Sequence, residues 1–259
     1  MSNVPKSLIV CLALAPIVGM AQTTLRDMRA VRIQPEAWQI VMLANQARVE
    51  AGAGALEWDP ALAAAARQHC LTMAAEGAIA HRYGGEAGVA ERAGQAGAHF
   101  SVIEENVAIG PSPEAIHASW MHSPDHRANL LSPNVDRVGV AVVASRGVLY
   151  AVADYERSVP VLTQTQVEAS VAELLRRDGV GLTGDPSDAR ASCVQERLAT
   201  TNRQPGFLML WQGSDLDRLP SALVDRISSG RYHAAAVGSC APEVAVASFT
   251  AYKVAVLLY

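Results

Sequence analysis

Read for its apolar positions, the chain switches between helical and strand periods. From Pro35, Trp38, Met42, Asn45 and Val49 recur at spacings of four, three and four, which is one face of a helix. Gly52-Ala53-Gly54 closes it. Asp59-Pro60 is a cap followed by proline at the first helical position, and the helix it opens runs to about Gly77. Its stripe is Leu62, Ala66, His69 and Met73, so His69 reads as a buried, hydrogen-bonded histidine. A glycine-rich passage with few apolar anchors follows, from Gly84 to Phe100, then a short apolar segment from Asn106 to Gly110. Ser112-Pro113-Glu114 predicts a helix carrying Ile116 and Trp120, and Ser123-Pro124-Asp125 a short one through Leu131. Val138 to Val143 and Val148 to Asp154 alternate around Ser145-Arg146-Gly147, the pattern of a β-hairpin. Trp38, Trp58 and Trp120 are expected in the core.

Val159-Pro160 marks a boundary. Beyond it the pattern predicts a helix over 166–177, with Val167, Val171, Leu174 and Leu175 on one face, and another over 222–228. Strands are expected at 207–211, 232–238 and 249–258. Both halves end in strands rich in Val and Tyr, an echo attributed to shared β-propensity and not to a tandem repeat.

Composition narrows the setting. Half of the 259 residues are hydrophobic, enough for a sizeable core, and the formal net charge of −4 comes without any basic cluster. A nucleic-acid partner is therefore not expected, because phosphate binding needs clustered Lys and Arg. Lys6 precedes an apolar run of about 13 residues, Leu8 to Met20, which suits a secretory signal and is too short to span a bilayer. Cleavage after Ala21 leaves a polar linker over 22–34 and a mature chain without a transmembrane segment, secreted or periplasmic. That compartment permits a disulfide between Cys193 and Cys240. Cys70, in an alanine-rich helix, reads as a small buried hydrophobe.

Candidate chemistry sits in the first half, at His81, Glu104-Glu105, Ser123 and His126, each near the end of an element. Neighbouring strand residues face opposite ways, so one of the two glutamates points inward. The helix start disfavours an imidazolium at His126 and should lower its pKa, which suits a ligand or a base; a plain hydrogen bond to a loop suits it as well. Ser123 reads as an N-cap, without the surroundings of a serine nucleophile. His81 and His126 with one carboxylate could hold zinc or another divalent cation beside an open position, although no HExxH spacing is present.

Four motifs in order carry a resemblance: "LANQARVEAGAGALEWDPALAAAARQHCLTMAAEGAIAH", "EENVAIG", "WMHSPDHRANLLSPNVDRVGVAVV" and "LYAVADYE". Over about residues 36–157 the chain resembles the bacterial branch of the CAP superfamily, with its cysteine-rich secretory, antigen 5 and pathogenesis-related class 1 proteins. The resemblance implies an α+β fold: a CAP-type α-β-α sandwich over 35–158, here followed by a smaller α+β domain of unknown role over 159–259. It implies a cleft lined by His81, Glu105, Ser123 and His126, with serine where many eukaryotic members carry a second glutamate. Glu104 and Asp125 replace the glycines usual before the glutamate and the second histidine, and two inward carboxylates would crowd each other. Members are associated with sterol and fatty-acid binding, metal-dependent effects and proposed proteolysis. The expected function is thus a secreted binding protein for a small apolar or amphipathic ligand such as a lipid, with no required cofactor and no assigned catalytic residue. Alternatives are a metal-dependent hydrolase using the same cleft, or an envelope-associated interaction module.

Overall fold

The computed structural model describes residues 34–201, 203–241 and 249–259. The expected export signal, and the expected linker up to residue 33, lie outside the described residues. Gln34 to Tyr259 forms one compact unit.

Its first half runs α1 (Pro35–Glu50), β1 (Glu57–Trp58), α2 (Pro60–Glu76), α3 (Val89–Gln95), β2 (Phe100–Gly110), α4 (Pro113–His122), α5 (Pro124–Leu131), β3 (Arg137–Ser145) and β4 (Val148–Ser158). The sheet order is β1-β3-β4-β2, with β1 parallel to β3 and the other pairs antiparallel. Both faces are covered. Cys70 and Met73 of α2 pack on Val107, Ala141, Tyr150 and Val152. The alternate positions Val140, Val142, Ala151, Ala153 and Tyr155 are buried too, on the face where Trp120 of α4 donates to the Val107 carbonyl (3.1 Å) and α5 is tied to Asn106. This is the α-β-α sandwich, with β2 at the sheet edge where groups from both helical layers meet.

Local chemistry explains most element starts. Asp59 accepts from the Ala61 and Leu62 amides, and Gly77, in the left-handed region, ends α2. The β3–β4 turn places Arg146 at φ 52° and Gly147 at φ 79°, as a two-residue hairpin loop requires.

The predicted face of α1 is the wrong one. Trp38, Met42 and Val49 are exposed (47%, 54% and 69%), while Ala37, Ile40, Val41, Ala44 and Arg48 are buried. Small alanines let the helix approach closely, and Arg48 needs to be inside. Its guanidinium donates to the carbonyls of Gly54 (2.6 Å), Leu130 (2.9 Å), Ser132 (2.9 Å) and Val135 (3.3 Å), joining α1 to the segment after α5. Trp58 is half-buried and only Trp120 is fully enclosed.

The second half runs α6 (Gln164–Arg177), β5 (Gly181–Leu182), α7 (Pro186–Gln195), β6 (Phe207–Gly213), α8 (Ser221–Ser228), β7 (Ala234–Cys240) and β8 (Tyr252–Leu258). Its sheet order, β5-β7-β8-β6, repeats that of the first sheet, with the short strand again parallel and the others antiparallel. The echo between the halves is therefore more than β-propensity. Leu182-Thr-Gly-Asp185-Pro186 repeats the spacing of Leu56-Glu-Trp-Asp59-Pro60, and Asp185 caps α7 at Ser187 as Asp59 caps α2. Gly139 of β3 and Gly238 of β7 play one role: a Cβ would lie 2.1 Å from the Ala63 nitrogen in α2, or 2.2 Å from the Arg190 nitrogen in α7. Among the described residues, helix α3 has no counterpart in the second half. Phe249 joins Phe100 in an isolated bridge, and β8 itself begins at Tyr252.

Candidate functional site

The site is built around Glu105. The β2 pleat turns this residue toward the α2–α3 layer and sends Asn106 the other way. Its carboxylate is enclosed (7% exposed) and both oxygens are engaged: Oε1 with His81 Nδ1 at 2.8 Å, Oε2 with Arg92 Nη2. Arg92 stands on α3 and also donates to the Ala87 carbonyl (2.8 Å), so the guanidinium braces the loop leading into its own helix. The glycine-rich passage hid this helix from sequence reasoning, and Arg92 with it.

His81 leaves the loop after α2 with its ring mostly exposed (61%) and one nitrogen held by Glu105. That loop is anchored one residue earlier by His69, whose Nε2 meets the Ala80 carbonyl (2.8 Å) and whose Nδ1 meets Glu86 (2.7 Å). His69 is thus buried and fully bonded, as its place in the α2 stripe predicts.

His126 comes from α5, the layer across the edge of β2. Asn106 holds the helix there, donating to the His126 carbonyl (2.9 Å), and Asn129 donates to Asn106 (3.0 Å) and to the Glu105 carbonyl (3.2 Å). The His126 pKa is lowered as expected, but burial is the main cause and His81 the next; Asp125 opposes them. Ser123 stands half-buried at the α4–α5 junction, yet its hydroxyl makes no cap. The start of α5 relies on Pro124 and on the Ser123 carbonyl, which accepts from Arg127 N at 2.8 Å.

Crowding of two carboxyls does occur, but Glu104 takes no part in it. Glu104 faces away, takes a hydrogen bond from Ser132 Oγ (3.3 Å), and has its pKa raised by burial. The acid beside Glu105 is Asp154 of β4, its direct cross-strand partner, fully buried. Burial, and after it Glu105, pushes the Asp154 carboxyl well above the usual range, with Arg92 opposing.

A resident metal fits this arrangement poorly. A cation at Glu105 would have to displace the Arg92 guanidinium, and His81 and His126 alone are too few ligands. Among the described residues no group of three His, Cys, Asp or Glu side chains could hold an ion. Cys70 is no nucleophile either, since burial pushes its thiol up to about 12. Cys193 of α7 and Cys240 of β7 form the disulfide. No described helix is long and apolar enough to cross a membrane.

Residues 41–155 match the family described as CAP, the cysteine-rich secretory protein family. This segment belongs to the CAP superfamily. The CAP match leaves the second sheet outside it. The uncharacterised Bacillus subtilis protein YkwD is 30% identical over 108 residues, covering 41% of this chain and 42% of its own length. Among solved structures, an extracellular SCP-domain protein of Bacillus anthracis is 24% identical with a TM-score of 0.45, covering 48% of this chain and 40% of its own. An outer surface protein of Borrelia burgdorferi is 17% identical with a TM-score of 0.46, covering 49% and 96%. The CAP architecture itself rests on the layers and strand order described above.

Proposed function

We propose that this is an exported CAP protein whose cleft, lined by His81, Glu105, Ser123 and His126, binds the polar end of a small amphipathic ligand without catalysing a reaction. In this reading 35–158 is the CAP domain and 159–259 a second, smaller domain. The observation that carries it is the full engagement of Glu105 by His81 and Arg92. The charges of Glu105 and Arg92 are spent on one another, and what the site has left to offer a ligand is imidazole: the second nitrogen of His81, whose ring is mostly exposed, and the half-buried His126. Such groups recognise a polar head by hydrogen bonding and leave affinity to the apolar remainder. The Cys193–Cys240 disulfide supports export, because it persists in an oxidising compartment.

Histidine-selective NMR of the folded protein tests this with 1-octanol and octanoate as probes. Saturable shifts at His81 and His126 are expected, and binding of both probes, followed by ligand-observed NMR, should be abolished in the double variant H81A/H126A. Absence of any shift with either probe overturns the reading. A second reading, hydrolysis, is favoured by one feature: a carboxylate behind His81 Nδ1 is how an enzyme orients a histidine base. Cleavage of p-nitrophenyl butyrate that is lost in His81→Ala would support it.

A further inference from the structure

Asp154 is the one buried acid of the site whose place has not been explained. In register it sits between Glu105 on β2 and Gly139 on β3. Directly paired residues of antiparallel strands project from the same face, with Cβ atoms about 5 Å apart. Asp154 is 0% exposed, and neither of its oxygens receives a hydrogen bond from another described residue. The charged groups that face it are Glu105 from β2 and Arg92 from α3. From β3 comes only Gly139, against which the backbone of α2 is packed.

Arg92 offers one positive charge, and its contact is with Glu105. Two buried carboxylates side by side, sharing a single cation, do not both stay ionised. One proton resolves the conflict. It turns Asp154 into a donor, gives its orphaned carboxyl a partner, and leaves the cluster of Arg92, Glu105 and Asp154 electrically neutral. The strong upward shift of the Asp154 carboxyl points the same way. The second sheet supplies an internal comparison: the matching row is Leu210, Ala255 and Gly238, with no acid and no α3. The carboxyl pair is thus not demanded by this sheet topology. It belongs to the site.

We propose that Asp154 is a positioning residue, a neutral carboxylic acid that donates to Glu105 and thereby holds it as acceptor for His81 Nδ1–H. The His81 proton is then fixed on Nδ1, and Nε2 faces the cleft as an acceptor. With no net charge behind it, this acceptor selects a neutral hydroxyl head group over a carboxylate. The head-group preference rests on the binding role proposed above; the proton on Asp154 does not.

Two measurements on the folded full chain separate the two ideas. Difference infrared spectra at neutral pH should show the C=O stretch of a neutral carboxylic acid in the parent, lost in Asp154→Asn; its absence from the parent overturns the proposal. Nitrogen-15 NMR should find His81 protonated on Nδ1 in the parent and in Asp154→Asn, whose amide still donates. In Asp154→Leu, checked for folding by circular dichroism, the tautomer should become mixed and 1-octanol binding weaken by about tenfold, the loss of one hydrogen bond. An unchanged tautomer in Asp154→Leu also overturns the proposal, and should that variant not fold, loss of the Nδ1 tautomer in Asp154→Asn overturns it instead. Tighter binding of octanoate than of 1-octanol refutes the head-group preference. Failure of both probes to bind, with the infrared band and tautomer as expected, refutes the binding role of the cleft and leaves the positioning role supported.

Discussion

Glu156 near the end of β4 should make the protein lose stability as pH rises. The residue pairs with Arg137 on β3 and Ile103 on β2, is 1% exposed, and has an Oε2 without a hydrogen-bond partner. Burial first, and Asp59 next, raise its pKa from 4.5 to about 7, with Arg137 opposing and Asp136 adding to the rise. A folded value above the unfolded one means that the native state holds the proton more tightly. Its contribution is therefore complete below about pH 4.5 and is lost as pH climbs through about 7. At about 1.4 kcal/mol per pH unit the whole effect is about 3 kcal/mol, and about 2 to 3 kcal/mol of it falls between pH 5 and pH 8. Glu156→Gln keeps the shape and removes the titration. Urea unfolding of both proteins at pH 5 and pH 8, with the disulfide intact, should find the variant gaining about 2 kcal/mol on the parent over that interval. If the two stabilities run parallel from pH 5 to pH 8, the ionisation of Glu156 is not coupled to folding and the reasoning is refuted.

Replacing Arg92 by Met should leave Glu105 buried without its cation and cost about 3 kcal/mol at neutral pH, measured by the same denaturation. Gly139→Ala and Gly238→Ala should each be destabilising by more than about 2 kcal/mol, because the new Cβ meets helix backbone that cannot swing aside; thermal melts read both. Reduction of Cys193–Cys240, which joins residues 47 apart, should cost about 3 kcal/mol and lower the melting temperature of the parent but not of a C193S/C240S variant.

The parts of this fold written in local chemistry could be read from the chain. Asp59-Pro60, Ser112-Pro113 and the Arg146-Gly147 turn act within a few residues of themselves, so they announce helix starts and a hairpin without any tertiary contact. The same signal at Asp185-Pro186 went unread, and α7 with it. His81, Glu105 and His126 could be named through motif order, and Glu105 was expected to be the inward member of its pair. The face of α1 was misread: the larger side chains Trp38, Met42 and Val49 suggested one stripe, and Ile40, Ala44 and Ala47 form the buried one. The choice came from carbonyls of residues 54, 130, 132 and 135 converging on Arg48.

Non-local pairing accounts for what stayed hidden. Arg92 has no apolar stripe to advertise its short helix; it matters because α3 lies over Glu105. Asp154 looked like one more polar residue ending a strand. It became the buried acid of the site when register set it opposite Glu105, across a sheet order that no single segment encodes. The repeat between the halves was hidden likewise: few side chains recur, yet strand order and two glycines under two helices do. Sequence alone settled which segments bend, cap and turn, because those energies are local. Which charges face each other, and which carboxyl must keep its proton, depended on strands brought together from far apart in the chain, where burial removes the water that would have let every charge stand alone.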